Sequence, residues 1–141
     1  MSRRDPTEFI DTFGTVRRRL SALAAQKYAT IELGPMQAKL LRHAGRRAPI
    51  SQAELARVTD SDPALAGRVL GALLERGLVA RRRSREDRRE YVVELTAAGR
   101  RVCDRIEKLR AELAAELVGA LDARDLDDFD RIAKKLLDAT G

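Results

Sequence analysis

Residues 78–96 read Leu78-Val-Ala-Arg-Arg-Arg-Ser-Arg-Glu-Asp-Arg-Arg-Glu-Tyr-Val-Val-Glu-Leu-Thr96, and they predict a β-hairpin. Two short runs that can be extended, 78–82 and 89–95, flank a polar segment, 84–88. Within the second run Tyr91, Val93 and Leu95 recur at a period of two, as in a strand with one buried face.

The tip of this hairpin is strongly positive. Six arginines lie between Arg81 and Arg89, against only Glu86 and Asp87. A phosphate backbone could neutralise such a field. A solvated polar turn is the alternative interpretation of the hairpin alone, so its neighbours must decide between the two.

The residues before the hairpin predict two short helices joined by a tight turn. Ser51 is a good N-cap, with Glu54 three residues later as in a capping box. A polar turn over 59–62 follows, Pro63 suits the first position of the next helix, and Gly77 closes it. A short helix, a turn, a second helix and a basic hairpin form a winged helix-turn-helix, whose second helix enters the major groove of DNA.

Amphipathic helices are predicted on both sides of this lobe. Gly34-Pro35 starts a helix that Gly45 is expected to end, and Pro49-Ile50 is a brief extended piece. Long helices with single apolar seams, from Pro6 to about Lys27 and after Thr96, indicate a dimerisation layer. The expected dimer-interface residues are Phe9, Phe13, Val16, Leu20, Leu113, Leu117, Phe129, Ile132 and Leu136.

The predicted fold is mainly α with a small β-hairpin wing. A chain of 141 residues suits a single domain, 1–141. Within it we expect dimerisation helices at 1–30 and 97–141 and a DNA-binding lobe at 34–96, with the helix-turn-helix at 51–76 and the wing at 78–96.

Charge and composition favour a polyanionic partner. The net charge is +6, which suits such a partner. Hydrophobic residues make up 44% of the chain, charged residues 35% and aromatic residues only 4%, so a helical core of aliphatic side chains is expected. Residues 1–49 carry ten Lys and Arg against four Asp and Glu, whereas residues 97–141 carry nine against ten. The C-terminal third is therefore not expected to face the polyanion.

Several function classes find no support in the sequence. Cys103 and His43 are single, so we expect no disulfide, metal site or cofactor. No apolar run approaches the roughly twenty residues of a membrane span and no signal-peptide core is visible, so we expect a cytoplasmic protein without a membrane partner. No carboxylate pair, nucleophile–base set or phosphate loop has usable spacing, so an enzyme is not expected.

These features together resemble the MarR (multiple-antibiotic-resistance regulator) family of bacterial winged-helix transcription factors. The similarity lies in Ser51-Gln-Ala-Glu-Leu-Ala56, in Leu73-Leu-Glu-Arg-Gly-Leu-Val79, and in the wing spacing of Asp87, Arg89 and Leu95-Thr96. Ala97-Ala-Gly99 opens the following helix in the family manner. The two terminal helices complete the resemblance over essentially the whole chain.

The resemblance implies a homodimer that binds double-stranded DNA. Each subunit would insert 63–76 into a major groove, at half-sites about one helical turn apart, while wing arginines reach the flanking minor groove or its phosphates. In the family an aspartate at the place of Asp87 orients the arginine at the place of Arg89 by an ion pair, here expected as a bidentate clamp. Since Arg81, Arg82 and Arg83 alternate along a strand, not all three can face DNA. The implied DNA-binding residues are Ser51, Gln52, Ser61, Pro63, Ala64, Leu65, Gly67, Arg68, Arg81, Arg85, Asp87, Arg88 and Arg89.

The recognition helix departs from the family pattern. Its outer face offers Ala64, Leu65, Gly67 and Gly71 where relatives usually carry hydrogen-bonding residues. Arg68 is the side chain suited to bidentate base readout. The glycines either allow a close approach or are simply tolerated. Specificity is therefore expected to depend on the wing and on DNA shape.

Two further sites remain open on sequence alone. By resemblance, Tyr28, Met36, Arg42 and His43 could line a pocket for a small aromatic or phenolic effector, although packed or solvated side chains are the alternative. Cys103 could be a redox sensor, with Arg100, Arg101 and Arg105 lowering its pKa, or a small packed residue.

The leading functional hypothesis is a homodimeric transcriptional regulator, a repressor released by a small ligand. The alternatives are a winged-helix module for protein–protein interaction and a non-specific architectural DNA-binding protein. The salt dependence of duplex binding distinguishes a regulator from a protein-interaction module. A comparison of specific with random duplex distinguishes a regulator from an architectural protein.

Overall fold

The computed structural model describes residues 4–141, which form six helices and three strands. In chain order these are α1 (Pro6–Ala29), α2 (Pro35–Arg47), β1 (Ile50–Ser51), α3 (Gln52–Val58), α4 (Pro63–Glu75), β2 (Val79–Arg83), β3 (Tyr91–Leu95), α5 (Ala97–Val118) and α6 (Ala123–Thr140). The mainly helical fold with a basic wing is confirmed.

The wing belongs to a three-stranded antiparallel sheet with the order β1-β3-β2. The hairpin register pairs Val79 with Leu95 and Arg83 with Tyr91. The sequence predicted only a hairpin and a brief extended piece. That piece is a third strand, because Ile50 pairs with Val93 and completes the sheet beside α3.

The chain divides into two compact units, and the first, up to Leu109, contains the core. Aliphatic side chains from every element of the helix-turn-helix and from the sheet fill it. Its largest fully buried apolar members are Leu40, Leu41, Leu55, Leu70, Leu73, Val93 and Ile106. The first turn of α5 closes against the wing: a Cβ built on Gly99 would lie 1.9 Å from the Leu78 carbonyl oxygen. Only glycine fits this approach.

The expectation that Gly45 ends the second helix is wrong. Helix α2 continues to Arg47. Gly45 instead lies at a close approach, since a Cβ there would come within 3.1 Å of Cys103 Sγ and 3.2 Å of Leu95 Cδ1. Lack of a side chain, rather than a helix stop, is the role of this glycine.

The predicted capping box at the start of α3 forms only in part. Ser51 Oγ accepts a hydrogen bond from the Glu54 backbone N–H at 3.0 Å. The Glu54 carboxylate does not return the bond, because it pairs with the Arg57 guanidinium. Ser51 alone therefore caps the helix.

The second unit, Arg110–Gly141, contains the end of α5 and all of α6. Asp122 and Asp125 form a reciprocal capping box at the start of α6. Within the described part of the chain, no residue of α6 is buried. In a single chain, the stability of helix α6 therefore depends on helix propensity and on its cap more than on packing.

Candidate nucleic-acid interface

The turn between α3 and α4 is fixed by its own side chains. Thr59, which is fully buried, donates from Oγ1 to the Leu55 carbonyl at 2.7 Å and lies 2.8 Å from Ser61 Oγ. Asp62 Oδ2 accepts from the Leu65 backbone N–H at 3.0 Å and caps α4, with Pro63 in the first turn. The predicted cap is confirmed, and the turn presents the N-terminal end of α4 outward.

The other end of α4 is tied to the turn between α1 and α2. Arg76 Nη1 donates to the Glu32 carbonyl at 2.6 Å. Gly77, with a φ of +69°, then ends the segment in the left-handed conformation that glycine tolerates. Helix α4 is thus held at both ends.

The outer face of α4 carries few polar groups. Pro63, Ala64, Leu65 and Arg68 are exposed, and 39% of Leu65 is accessible. Arg68 is the charged side chain on this face. Gly67 is half-buried, and a Cβ there would meet Gln52 Nε2 at 3.4 Å. This face is suited to contacts with thymine methyl groups, and Arg68 to a guanine.

The wing tip is closed by a network around Ser84. Its Oγ accepts from the Glu86 and Asp87 backbone N–H groups, both at 3.2 Å. Its own N–H donates to the Glu90 carbonyl at 2.9 Å. Arg83 Nη1 adds a bond to the Arg88 carbonyl at 2.7 Å. The tip therefore has a defined backbone although its side chains are exposed.

Asp87 and Arg89 lie together, but not as the expected bidentate clamp. Asp87 Oδ1 accepts from the Arg89 backbone N–H at 3.0 Å, and Arg89 Nε lies 3.9 Å from the same oxygen. The Arg89 side chain is 96% exposed. Because the carboxylate is taken up mainly by the backbone, the guanidinium keeps most of its donors for a partner.

The three arginines of β2 alternate in direction, as predicted. Arg81 and Arg83 both lie over the Tyr91 ring, with 4.2 Å and 5.0 Å from guanidinium carbon to ring centroid. Arg82 points to the opposite face and pairs with Glu94 at 3.3 Å. Tyr91 is not among the functional residues predicted from the sequence. The strand alternation alone would nevertheless place it on the same face of the hairpin as Arg81 and Arg83.

A hydrogen bond between two side chains links the helix-turn-helix with the wing. Arg81 Nη1 donates to Gln52 Oε1 at 3.5 Å, from β2 to the first residue of α3. Of the predicted DNA-binding residues, Arg81 and Gln52 are thus brought together directly. Arg85 and Arg88 are exposed at the tip, next to Arg89.

The structure places the four residues expected at an effector pocket in different surroundings. Arg42 lines a cavity of about 500 Å³ between α2 and α5. Tyr28 and Met36 pack against the core cluster, and His43 Nδ1 lies 2.9 Å from Arg47 Nη1. The full lining of the cavity is Arg42, Gly45, Arg46, Leu95, Arg100, Cys103, Asp104 and Glu107.

The surroundings of His43 and Cys103 shift both pKa values away from neutrality. Burial lowers the pKa of His43, and the charge of Arg42 and further cations on α2 lowers it further. Burial raises the pKa of Cys103 to about 11, and Asp104 and Glu107 add to the rise. Of the two alternatives for Cys103, a thiol with a pKa lowered by arginines is therefore not supported, because burial and the nearby carboxylates raise that pKa. Its half-buried Sγ donates to the Leu41 carbonyl at 3.3 Å, as a packed residue would.

The apolar seams of the terminal helices are open to solvent in the single chain. Phe9 and Phe13 stack on α1 with ring centroids 6.0 Å apart, and no described residue of α1 is buried. In the second unit, 64% of Phe129 and 41% of Ile132 are accessible, while Leu113 and Leu136 are half-buried. The remaining predicted interface residues, all exposed, are Val16, Leu20 and Leu117.

Two other classes of site find no support within residues 4–141. No group of three or more His, Cys, Asp and Glu side chains among them could hold a metal ion. None of the described helices is both long and apolar enough to cross a membrane.

Residues 33–91 match the model of the MarR family. A cysteine-to-serine variant of MarR from E. coli, solved in complex with operator DNA, is 26% identical, with a TM-score of 0.83 over 95% of this chain and 99% of that one. Comparison with curated protein sequences gave no match.

Two further solved structures share the fold. A MarR transcriptional regulator from Methanosarcina mazei Go1 is 24% identical, with a TM-score of 0.83 over 94% of this chain and 96% of that chain. The S. aureus MepR–DNA complex is 18% identical, with a TM-score of 0.85 over 94% and 98%. The similarity therefore extends beyond the family match into the terminal helices.

Proposed function

We propose that the chain is a transcriptional regulator of the MarR family and that it acts as a homodimeric repressor of a pseudo-palindromic operator. The observation that carries the proposal is the pairing of an exposed α4 face with a wing tip bearing Arg85, Arg88 and Arg89. The relative bound to operator DNA supports the same use of this fold. Such a regulator acts where the DNA is, so we place it in the cytoplasm.

In this proposal each contact has a distinct physical role. The N-terminal part of α4, with Pro63, Ala64, Leu65, Gly67 and Arg68, enters the major groove. Arg85, Arg88 and Arg89 reach the flanking minor groove or its phosphates, with Asp87 holding the backbone of Arg89. The three hydrogen-bonding residues Ser51, Gln52 and Ser61 contact phosphates beside the groove.

Dimerisation would cover the seams of α1 and α6. Side chains such as Phe9, Phe13 and Phe129 are more than half accessible in one chain. Burying apolar area contributes about 25 cal/mol per Å², so covering several such side chains favours association strongly. A two-fold dimer would also present two α4 helices to successive major grooves.

Non-specific architectural DNA binding is the second candidate function. The observation in its favour is that the outer face of α4 carries few side chains that can read bases. Arg68 is the residue there that is able to form a bidentate base contact. Competition separates the two candidates. The protein is bound to a labelled duplex from the region upstream of the gene, and unlabelled upstream duplex or unlabelled random duplex is added as competitor. If the chain is a regulator, the upstream competitor should displace the label far better than the random one. If the chain is architectural, the two competitors should displace it equally.

A protein-interaction module that docks an acidic protein is the third candidate, and the salt dependence of duplex binding distinguishes it from a DNA-binding protein. Binding to duplex through several phosphates releases counterions, and the affinity then falls steeply as salt rises. A protein-interaction module would instead show weak duplex binding at every salt concentration.

A small aromatic or phenolic acid is the proposed effector that releases DNA. The cavity lined by Arg42 combines guanidinium groups with the apolar Leu95 side chain, which suits a carboxylate on a ring. Calorimetric titration with benzoate tests this. Heat of binding that is lost in Arg42→Ala supports an effector site here, and equal heats in both proteins refute it.

The operator itself is tested by footprinting the region upstream of the gene. A repressor dimer should protect two half-sites about one helical turn apart, related by a pseudo-two-fold axis. Uniform protection without such a period would exclude the proposed mode of binding.

A further inference from the structure

We propose that Tyr91 is a positioning residue of the wing, whose ring holds Arg81 and Arg83 in the corner between the wing and α3 for contact with backbone phosphates. The inference rests on the proposed DNA-binding function and deepens it. It adds to the arginines at the exposed tip a second, pre-ordered cationic pair at the base of the wing.

The ring lies beneath both guanidinium groups. The Arg81 guanidinium carbon is 4.2 Å from the Tyr91 ring centroid and that of Arg83 is 5.0 Å away. Both distances are within the roughly 6 Å at which a cation is attracted to an aromatic face. The strand register explains the arrangement, since Arg83 pairs with Tyr91 and Arg81 lies two residues away on the same face.

This face of the hairpin is turned toward the helices. Val79 and Val93, which alternate onto the same face, are buried in the core. Arg81 reaches from it to Gln52 Oε1 at 3.5 Å, at the start of α3. A duplex that lies along α4 and the wing tip at once would pass over this corner.

The ring orders the two arginines without neutralising them. Arg82, on the opposite face, pairs with the carboxylate of Glu94, and that ion pair offsets its charge. An aromatic face attracts a guanidinium through its quadrupole and leaves the full positive charge to act on a phosphate. Since long side chains lose rotamer freedom when they bind, arginines already held in place bind a phosphate more tightly.

The same platform connects with the tip. Arg83 also donates to the Arg88 carbonyl at 2.7 Å, so its position on the ring bears on the backbone beside Arg88 and Arg89. Loss of the ring should therefore weaken phosphate contacts at both places, while the sheet itself is retained.

The test is fluorescence anisotropy on a labelled mixed-sequence duplex of roughly 40 base pairs, long enough for two half-sites and their flanks. Tyr91→Phe keeps the ring, and Tyr91→Ile keeps an apolar strand former without it. We expect Tyr91→Phe to bind within about twofold of the wild type and Tyr91→Ile to bind roughly five- to tenfold more weakly. The log–log salt slope of Tyr91→Ile should also shrink by about one phosphate contact.

A double-mutant cycle separates positioning from a general effect on folding. In a background of Arg81→Ala and Arg83→Ala, the loss caused by Tyr91→Ile should disappear, because no guanidinium remains to be positioned. Urea denaturation of each variant identifies any protein that is not folded at the assay temperature, and for such a variant Tyr91→Leu replaces Tyr91→Ile.

The proposal is overturned if Tyr91→Phe loses as much affinity as Tyr91→Ile, if neither loses any, or if the loss persists without the two arginines. Each of these results requires a wild-type protein that binds duplex with a steep salt dependence. Wild-type protein that fails to bind would instead overturn the proposed function, so the two failures are distinguishable.

Discussion

The pKa of a single side chain in this protein depends on burial as much as on neighbouring charge. Cys103 is surrounded in sequence by arginines, yet its half-buried thiol faces Asp104 and Glu107, and its pKa is raised to about 11. We therefore expect slow reaction with Ellman's reagent at pH 7.5 in the native state and fast reaction in urea, where the thiol regains an ordinary pKa near 8.5. Equal rates in both states would show an activated, accessible thiol and restore the redox-sensor hypothesis.

His43 gives a pH dependence of stability with a defined sign. Its pKa is lowered in the folded state by burial and by the cations of α2, so the unfolded state binds the proton more readily. Stability should therefore fall as the pH drops through the ordinary histidine value of about 6.5. Urea unfolding at pH 5 and pH 7.5 should show a smaller difference in His43→Gln than in the wild type. An unchanged difference would mean that other groups cause it.

Helices depend on glycine at some positions and merely tolerate it at others, and the structure distinguishes the two. On α5, a Cβ at Gly99 would meet the Leu78 carbonyl oxygen at 1.9 Å, whereas on α4 nothing lies within 4 Å of a Cβ at Gly71. Gly99→Ala should lower the free energy of unfolding by about 2 kcal/mol or more, because backbone must move. Gly71→Ala should raise it by up to about 1 kcal/mol through helix propensity. Urea midpoints measured on both variants check this, and two changes of the same sign would contradict it.

Elements whose signals are local could be predicted from the sequence, and contacts that cross the chain could not. The caps at Ser51 and Asp62, Pro63 in the first turn of α4 and the alternation of Arg81 to Arg83 each depend on a few adjacent residues. The continuation of α2 through Gly45, the third strand at Ile50 and the Arg81–Gln52 contact depend on partners from distant segments. Sequence spacing does not encode such partners. The four residues expected at an effector pocket were chosen as near neighbours in the sequence, and the contacts of Arg42 with α5 were not predicted.

At the scale of the whole molecule, the exposed seams of α1 and α6 predict a dimer. Light scattering of the purified protein should give twice the chain mass, and Phe13→Asp should shift it toward the monomer by placing a charge on a seam residue that is 53% exposed in the single chain. Ala22→Asp is the matched control, since nine residues further along α1 is the opposite side of the helix. A wild-type monomer, or dissociation by both substitutions alike, would contradict the prediction.

If this chain binds duplex DNA through α4 and the arginines of the wing, a salt titration tests that binding most directly. Affinity for a labelled duplex is measured by anisotropy at increasing salt for the wild type, for Arg89→Ala and for Arg124→Ala, a surface arginine of α6 that serves as a charge-matched control. We expect a steep log–log slope for the wild type, a slope reduced by about 0.9 and weaker binding for Arg89→Ala, and wild-type behaviour for Arg124→Ala. A flat slope for the wild type, or equal losses from the two substitutions, would contradict it.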